Sequence, residues 1–350
     1  MMASSRPPAA ARRAVHALPA PYLLFLGDAV EAGFAKTALG LRDWAPDRCL
    51  GEFALPTATV TTGLPRMTPA EAAAAGARAL VIGVANQGGV VPASWMPALL
   101  AAIGAGLDLV AGLHTRLSDL AALREAAARA GTRLIDVRVP PPDLPIATGA
   151  KRTGRRLLTV GTDCALGKKY TALAIARGLQ ARGVDATFRA SGQTGIMIAG
   201  EGIAIDAVVA DFAAGAAELL SPAAADDHLD VIEGQGSLFH PSYAAVSLAL
   251  LHGSQPDLFV VCHQPARTLI LGTPGYRVPP IEAVIEQTIA IGRLTNPAIR
   301  CAGISLNTAA LGEREADEEI DRTGSRLGLP VADPIRGGAA FERLLDACVQ

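Results

Sequence analysis

Residues 157–179 read LLTVGTDCALGKKYTALAIARGL. Four apolar residues, a glycine-bounded loop and a long Ala/Leu-rich stretch follow one another. That order is a buried strand, a tight loop and a helix. A helix that leaves a strand in this way crosses over the sheet, so the next strand runs parallel to the first. The loop constrains chemistry as well. Gly161-x5-Gly167-Lys168 at a helix start gathers backbone N–H groups around an anion, and the helix terminus adds about half a positive charge. The spacing is one residue longer than the common GxxxxGK[ST] pattern. The residue after the lysine is Lys169, where that pattern has the Ser or Thr that holds magnesium. An ammonium cannot ligate a cation, but it can neutralise a phosphate. Thr171, on a helix, points about 200° away from position 169. The loop therefore suits phosphate held without a metal. Thr162 or a carboxylate elsewhere remains an alternative magnesium ligand, and a glycine turn with a solvated Lys-Lys pair is the bland alternative.

The alternation continues on both sides. Residues 21–30, 77–89, 107–114 and 132–140 carry strand signals, and 97–106 and 117–130 helical ones. Further on, VDATFRA, IDAVVAD, LDVIEGQG, PDLFVVCHQ and IRCAGISLN read as strands. Residues 171–182, 243–252, 280–294 and 313–324 read as helices. Hydrophobic residues make up 50% of the chain and aromatics only 4%. The apolar mass is thus Ala, Val, Leu and Ile, which suits helices on parallel sheets. Between the halves, PPPDLPIATGAKRTG breaks any regular element. The expected organisation is a disordered extension over residues 1–20, an α/β domain over 21–140, a linker over 141–154 and a second α/β domain over 155–350. Both domains are expected to be doubly wound parallel sheets.

A net charge of −2 gives no basic excess for nucleic acid or an anionic membrane. No run reaches the ~18 apolar residues needed to span a bilayer. Five scattered cysteines form no CxxC pair, so neither a disulfide framework nor a zinc site is expected. The reading is a reduced, cytoplasmic chain with no metal site. A homodimer is the default expectation for such an Ala- and Leu-rich chain.

In doubly wound sheets, ligands bind beyond the carboxyl ends of the strands. GDAVEAG, GVANQGG, GLH, GTDCALGK, ASGQTG, EGQGS and CHQP all fall there. Gly161, Thr162, Cys164, Gly167, Lys168, Lys169 and Tyr170 are the candidate phosphate-holding residues. A ligand whose phosphate is a handle, such as coenzyme A, fits them better than one whose phosphate is transferred. Glu233 ends a buried strand and is a candidate general base or a metal or water ligand; its alternative is a turn cap. His240, fixed before Pro241, is a second proton acceptor or a structural histidine. Asp163 and Cys164 at the loop's crest either shape it or touch the reacting group. Ser191, Gln193 and Thr194, on an expected flexible loop, are candidate substrate contacts, with Asn86 and His114 at strand ends in the first half. Lys36 and Arg189, with Arg267 and Arg336, are candidate cations for a substrate carboxylate. Asp206 is a further acidic candidate, and Asp211 is read as a helix cap.

Several motifs together resemble one family. GTDCALGKKYTA, SGQTGIMIAG, EGQGSLFHP, CHQPAR and ISLNT followed by DPIR are similar to the D-glutamate N-acetyltransferase family. FAKTALGL, TTGL, VIGVANQGG, GLDLVAGLH and DVRVP agree with it in the first half. The resemblance covers roughly residues 21–336. It implies a Rossmann-like N-terminal domain and a P-loop-like C-terminal domain. It also implies acetyl transfer from acetyl-coenzyme A to the α-amino group of a D-amino acid, with D-glutamate expected, in D-amino-acid catabolism. The GTD start of the loop also resembles dethiobiotin synthetase. That likeness implies the alternative of an ATP- and magnesium-dependent ligase or kinase, which Lys169 opposes.

Overall fold

The computed structural model describes residues 18–350. Most of the expected N-terminal extension, residues 1–17, lies outside them. Its last part is not an extension: Leu18 is buried and its N–H donates to the Gly200 carbonyl at 3.4 Å. Two compact units divide the chain. One holds the residues up to Pro141 together with Gln193–Ala204; the other holds Pro142–Gly192 and Ile205–Gln350. A cut between residues 140 and 155 therefore misses one segment of the first unit.

In the first unit, β1 (Tyr22–Gly27), β2 (Cys49–Ala54), β3 (Ala79–Ile82), β4 (Asp108–Ala111) and β5 (Leu134–Asp136) form a parallel sheet in the order β2-β1-β3-β4-β5. Helices α1 (Lys36–Trp44), α2 (Pro69–Ala74), α3 (Met96–Gly104) and α4 (Ala121–Ala130) connect the strands. The second unit has β6 (Arg155–Gly161), β7 (Ala186–Arg189), β8 (Leu229–Ile232), β9 (Leu258–His263), β10 (Arg300–Leu306) and β11 (Val331–Ala332), all parallel, in the order β11-β10-β9-β6-β8-β7. Its helices are α5 (Lys168–Ala181), α7 (Ala210–Leu220), α8 (Ala244–Ser254), α9 (Ile281–Gly292), α10 (Glu313–Leu327) and α11 (Gly338–Val349), while α6 (Gln193–Ala199) goes with the first unit.

Strand order grows outward in both directions from β1; from β6 it grows outward through β9, β10 and β11 on one side, while on the other β8 lies next to β6 and β7 outside it. Right-handed crossovers then place helices on both faces, the doubly wound arrangement. Covered on both faces, β1, β3 and β8 are buried at every position, and the one charged residue among them, Asp230 in β8, is paired with Arg189. Among the described residues no helix is long and apolar enough to cross a membrane.

Three local readings change. IDAVVAD is not a strand but a 3-10 turn over Ile205–Ala207 running into α7. Its apolar run does not face a core throughout, since Ile205 is buried while Val209 is exposed. Asp211 does not cap α7: Val209 holds that position without a side-chain bond, and Asp211 sits in the first turn, where the helix dipole favours an acid. Gln193 and Thr194 are not on a flexible loop but begin α6. Strand β2 goes unread because Gly51-Glu52 interrupts its apolar run.

Candidate active site

The anion loop sits where the second sheet changes direction. β6 ends at Gly161 with β8 on one side and β9 on the other, the position at which doubly wound sheets bind ligands. Gly167 caps α5 at φ 109°, a backbone state that only glycine adopts cheaply. The first-turn N–H groups of Lys168, Lys169 and Tyr170 have no acceptor within the helix and point out of its start. Lys168 is buried, and its Nζ donates to the Asp163 carbonyl at 2.8 Å, closing the loop across its base. Burial lowers its pKa, although the nearby Cys262, Cys164 and Asp163 oppose that. Thr171 turns into the core and shares a 2.7 Å hydrogen bond with Ser305. With Thr171 committed there and Lys169 following Lys168, the start of α5 lacks the Ser or Thr hydroxyl that holds magnesium in a nucleotide-binding P-loop.

The loop's other polar residues hold its shape. Thr162 pairs its hydroxyl with His263 Nδ1 at 3.0 Å. Asp163 is fully buried. Its Oδ1 accepts from the Cys164 N–H at 2.6 Å, and its Oδ2 accepts from Arg267 Nη1 at 3.1 Å and the Leu271 N–H at 2.9 Å. A carboxylate so fully engaged is a clamp between the loop and residues 267–271, not a free proton acceptor. His240 Nδ1 accepts from the Ser242 N–H at 3.1 Å, which leaves the proton on Nε2, facing the Leu271 carbonyl at 3.4 Å. Both nitrogens of His240 are thus occupied. Asp163, Cys164 and His240 place one potential metal-ligand atom each within 4.8 Å of one another. The Arg267 guanidinium on the same carboxylate opposes a cation there. Burial also pushes the Cys164 thiol up, which works against a reactive thiolate.

Glu233 differs from these. It follows β8 directly and is buried. The Ser191 and Gly192 N–H groups donate to its Oε2 at 3.1 and 3.2 Å, and the Ser191 hydroxyl donates to its backbone carbonyl at 2.5 Å. The next residue must be glycine: a Cβ on Gly234 would strike the Thr159 carbonyl and touch Lys168 Cδ. Its N–H donates to the Thr159 hydroxyl at 2.9 Å. The turn after Glu233 is therefore pressed onto the start of α5. Burial pushes the Glu233 carboxyl up. The Lys169 charge and the two N–H groups pull it back, Asp206 adds to the rise, and it titrates at about 7.

The remaining candidates divide by unit. In the second, Arg189 Nε donates to the buried Asp230 at 2.6 Å, and Arg336 donates to Thr308 and to the Leu311 carbonyl. Together with Arg267, three of the four cations expected to meet a substrate carboxylate are tied internally. In the first unit, Lys36 is exposed in the first turn of α1. Asn86 closes its own loop through two bonds to the backbone of Val90. His114 is exposed, with its ring against Gly89. Gln193 accepts from Arg138 at 3.3 Å, and Thr194 shares a 3.0 Å bond with Thr37. The reading of single motifs misses Thr159, whose hydroxyl links β6 to Gly234, and Gln235, which donates to Ser191 at 3.1 Å. Gln235 lies within the EGQGS motif; Thr159, inside an apolar strand, carries no local signal.

The second unit's architecture is matched by a family model described as a domain of unknown function, the DUF1611_C P-loop domain, over residues 145–345. A second model, the DUF1611_N Rossmann-like domain, matches residues 50–140. A protein of Tritonibacter scottomollicae named D-glutamate N-acetyltransferase is 51% identical over 93% of this chain and 98% of its own. One of Pseudoalteromonas sp. with the same name is 46% identical over 91% and 96%. The crystal structure of a DUF1611 family protein from Anabaena variabilis superposes with a TM-score of 0.83 at 34% identity, covering 93% of this chain and 98% of that one. With both of its sheets and nearly its whole length accounted for in this way, the chain belongs to the DUF1611 family.

Proposed function

We propose that this protein is a D-glutamate N-acetyltransferase that takes its acetyl group from acetyl-coenzyme A. The observation that carries the reading is Glu233: a buried carboxyl with two N–H donors on one oxygen, pushed up to about 7 by burial, in the residue before a glycine that is pressed against Lys168 at the start of α5. Two relatives of matching length bear the name of this activity.

Amide formation from a thioester needs neither ATP nor a metal. The substrate amine attacks the thioester carbonyl carbon, a C–N bond forms and the C–S bond breaks. The proton lost from nitrogen passes to Glu233, which returns it to the leaving thiolate directly or through water, so that the thiol is released and the carboxylate is regenerated. Glu233 suits this role because a base works best with a pKa near the operating pH. Lys168, Lys169 and the N–H groups at the start of α5 hold the donor's phosphates, with Gly161, Gly167 and Tyr170 shaping that cradle. The N–H groups of Gln235, Gly236 and Ser237 are our candidates for the oxyanion, since those of Gly192 and Gly234 are already bonded. His240, Asp163, Thr162 and Cys164 serve as framework in this scheme. We keep Ser191, Gln193, Thr194, Asn86, His114 and Lys36 as candidates for the acceptor. Five unpaired cysteines support a reducing, cytoplasmic setting, and a homodimer is the form we expect.

The test is to supply D-glutamate and acetyl-coenzyme A, with and without EDTA, and follow free thiol. Thiol release and N-acetyl-D-glutamate, both unaffected by EDTA, are expected. Magnesium-dependent ADP formation from ATP without thiol release would move the assignment to a ligase or kinase.

A further inference from the structure

We propose that the donor's acyl group sits in a small cavity of the second unit, bounded by the turn that follows Glu233, and that the Thr288 hydroxyl donates to its oxygen. The proposal rests on the acetyl-coenzyme A reading. It adds the part of the site that selects which acyl group is transferred.

The cavity lies between the end of β6, the turn over 234–238, α8 and α9. Its wall is mostly apolar, with Leu158 and Val160 from β6, Leu250 and Leu251 from α8 and Val284 from α9. It is partly open, and its free space admits a group of about the size of a methyl or a water molecule. Gly161, where the anion loop begins, is on its boundary. So is the turn that carries the Gln235, Gly236 and Ser237 N–H groups. Among the described residues nothing accepts from those three N–H groups.

Thr288 points to what the cavity takes. It lies on α9, lines the cavity and is fully buried, and its hydroxyl has no hydrogen-bond partner among the described residues. A helical threonine can return its hydroxyl to the carbonyl one turn back; Thr288 does not. The other hydroxyls of the wall are bonded. Thr159 accepts from the Gly234 N–H at 2.9 Å, Ser237 accepts from the Phe239 N–H at 3.3 Å, and Ser247 donates to the Gln235 carbonyl at 2.6 Å. A buried hydroxyl without a partner is costly. The occupant that suits this wall brings one acceptor atom and is otherwise apolar and small. An acetyl group has one carbonyl oxygen and one methyl; a longer acyl chain exceeds the space.

The test is thiol release by the full-length protein with D-glutamate and either acetyl- or propionyl-coenzyme A, for wild type, Thr288→Val and Leu250→Ala. Thr288→Val keeps the shape and removes the hydroxyl. Its urea midpoint should be no lower than that of wild type, because no bond within the chain is lost. Its kcat for acetyl transfer should nevertheless fall by on the order of 10²-fold. Wild type should favour acetyl over propionyl by about tenfold or more in kcat/KM, and Leu250→Ala should remove that preference. If Leu250→Ala does not fold, Val284→Ala is read by the same criterion. An unchanged kcat in Thr288→Val, the result for a hydroxyl that meets only water, overturns the proposal. So does a Thr288→Val that loses stability and rate together, or an unchanged acyl preference in the folded enlarged variant. A wild type that releases no thiol from acetyl-coenzyme A would remove the acetyltransferase reading itself, whereas these failures beside an active wild type remove only the cavity's role.

Discussion

Each unit buries a glutamate at a strand, and the two are treated in opposite ways. Glu52, in β2 of the first unit, has its carboxylate filled by donors. Thr61 donates to it at 2.7 Å, the Thr62 N–H and hydroxyl at 2.5 and 2.6 Å, and Arg66 lies at 3.4 Å. Burial pushes its pKa up, but these partners outweigh burial and hold it below the ordinary carboxylate range. Glu233, in the second unit, has two N–H donors on one oxygen and a lysine charge, and burial wins. A buried carboxylate with a full set of donors is structure. One left short of donors keeps a raised pKa and can exchange a proton near neutral pH.

The largest expected effect is on rate. Glu233→Gln keeps the shape and removes the proposed base, so kcat/KM for acetyl transfer should fall by on the order of 10²–10⁴-fold. Its stability should move the other way. Folding raises the carboxyl from 4.5 to about 7, so between those values the folded state binds the extra proton and wild-type stability falls as pH rises. At ~1.36 kcal/mol per pH unit the loss is on the order of 3 kcal/mol above pH 7. Urea unfolding at pH 5 and pH 8 should show Glu233→Gln gaining on wild type at the higher pH. A variant as active as wild type, or one that loses ground at pH 8, would break the contrast with Glu52.

Glu52→Ala should do the reverse. It strands the Thr61 and Thr62 donors and should cost on the order of 3 kcal/mol in stability, with kcat/KM per folded molecule unchanged. Urea midpoints and kinetics at a temperature where the variant is folded check this. The smallest effect concerns the cradle. Lys168→Ala should weaken coenzyme A binding by at least about tenfold, or 1.4 kcal/mol, by calorimetry. Unchanged affinity would remove the loop from the donor site.

The parts legible in the sequence are local ones. A strand, two glycines, a lysine and a helix within residues 157–179 announce the anion loop, and LDVIEGQG places Glu233 at a strand end. What Asp163 and Arg189 do was not legible, because their partners, Arg267 and Asp230, are 104 and 41 residues away. Either acid or base looks like a site residue until its partner is known. The departure of α6 from its neighbours has the same origin: the Thr194–Thr37 bond spans 157 residues and draws the segment into the first unit.

The most direct measurement is the pH dependence of thiol release from acetyl-coenzyme A with D-glutamate, in EDTA, for wild type and Glu233→Gln. The account predicts that wild-type kcat/KM rises with pH through an inflection near 7, set by Glu233, and that the variant loses both the rate and this inflection. A wild-type profile without that inflection, or a rate that appears only when magnesium is restored, would contradict it.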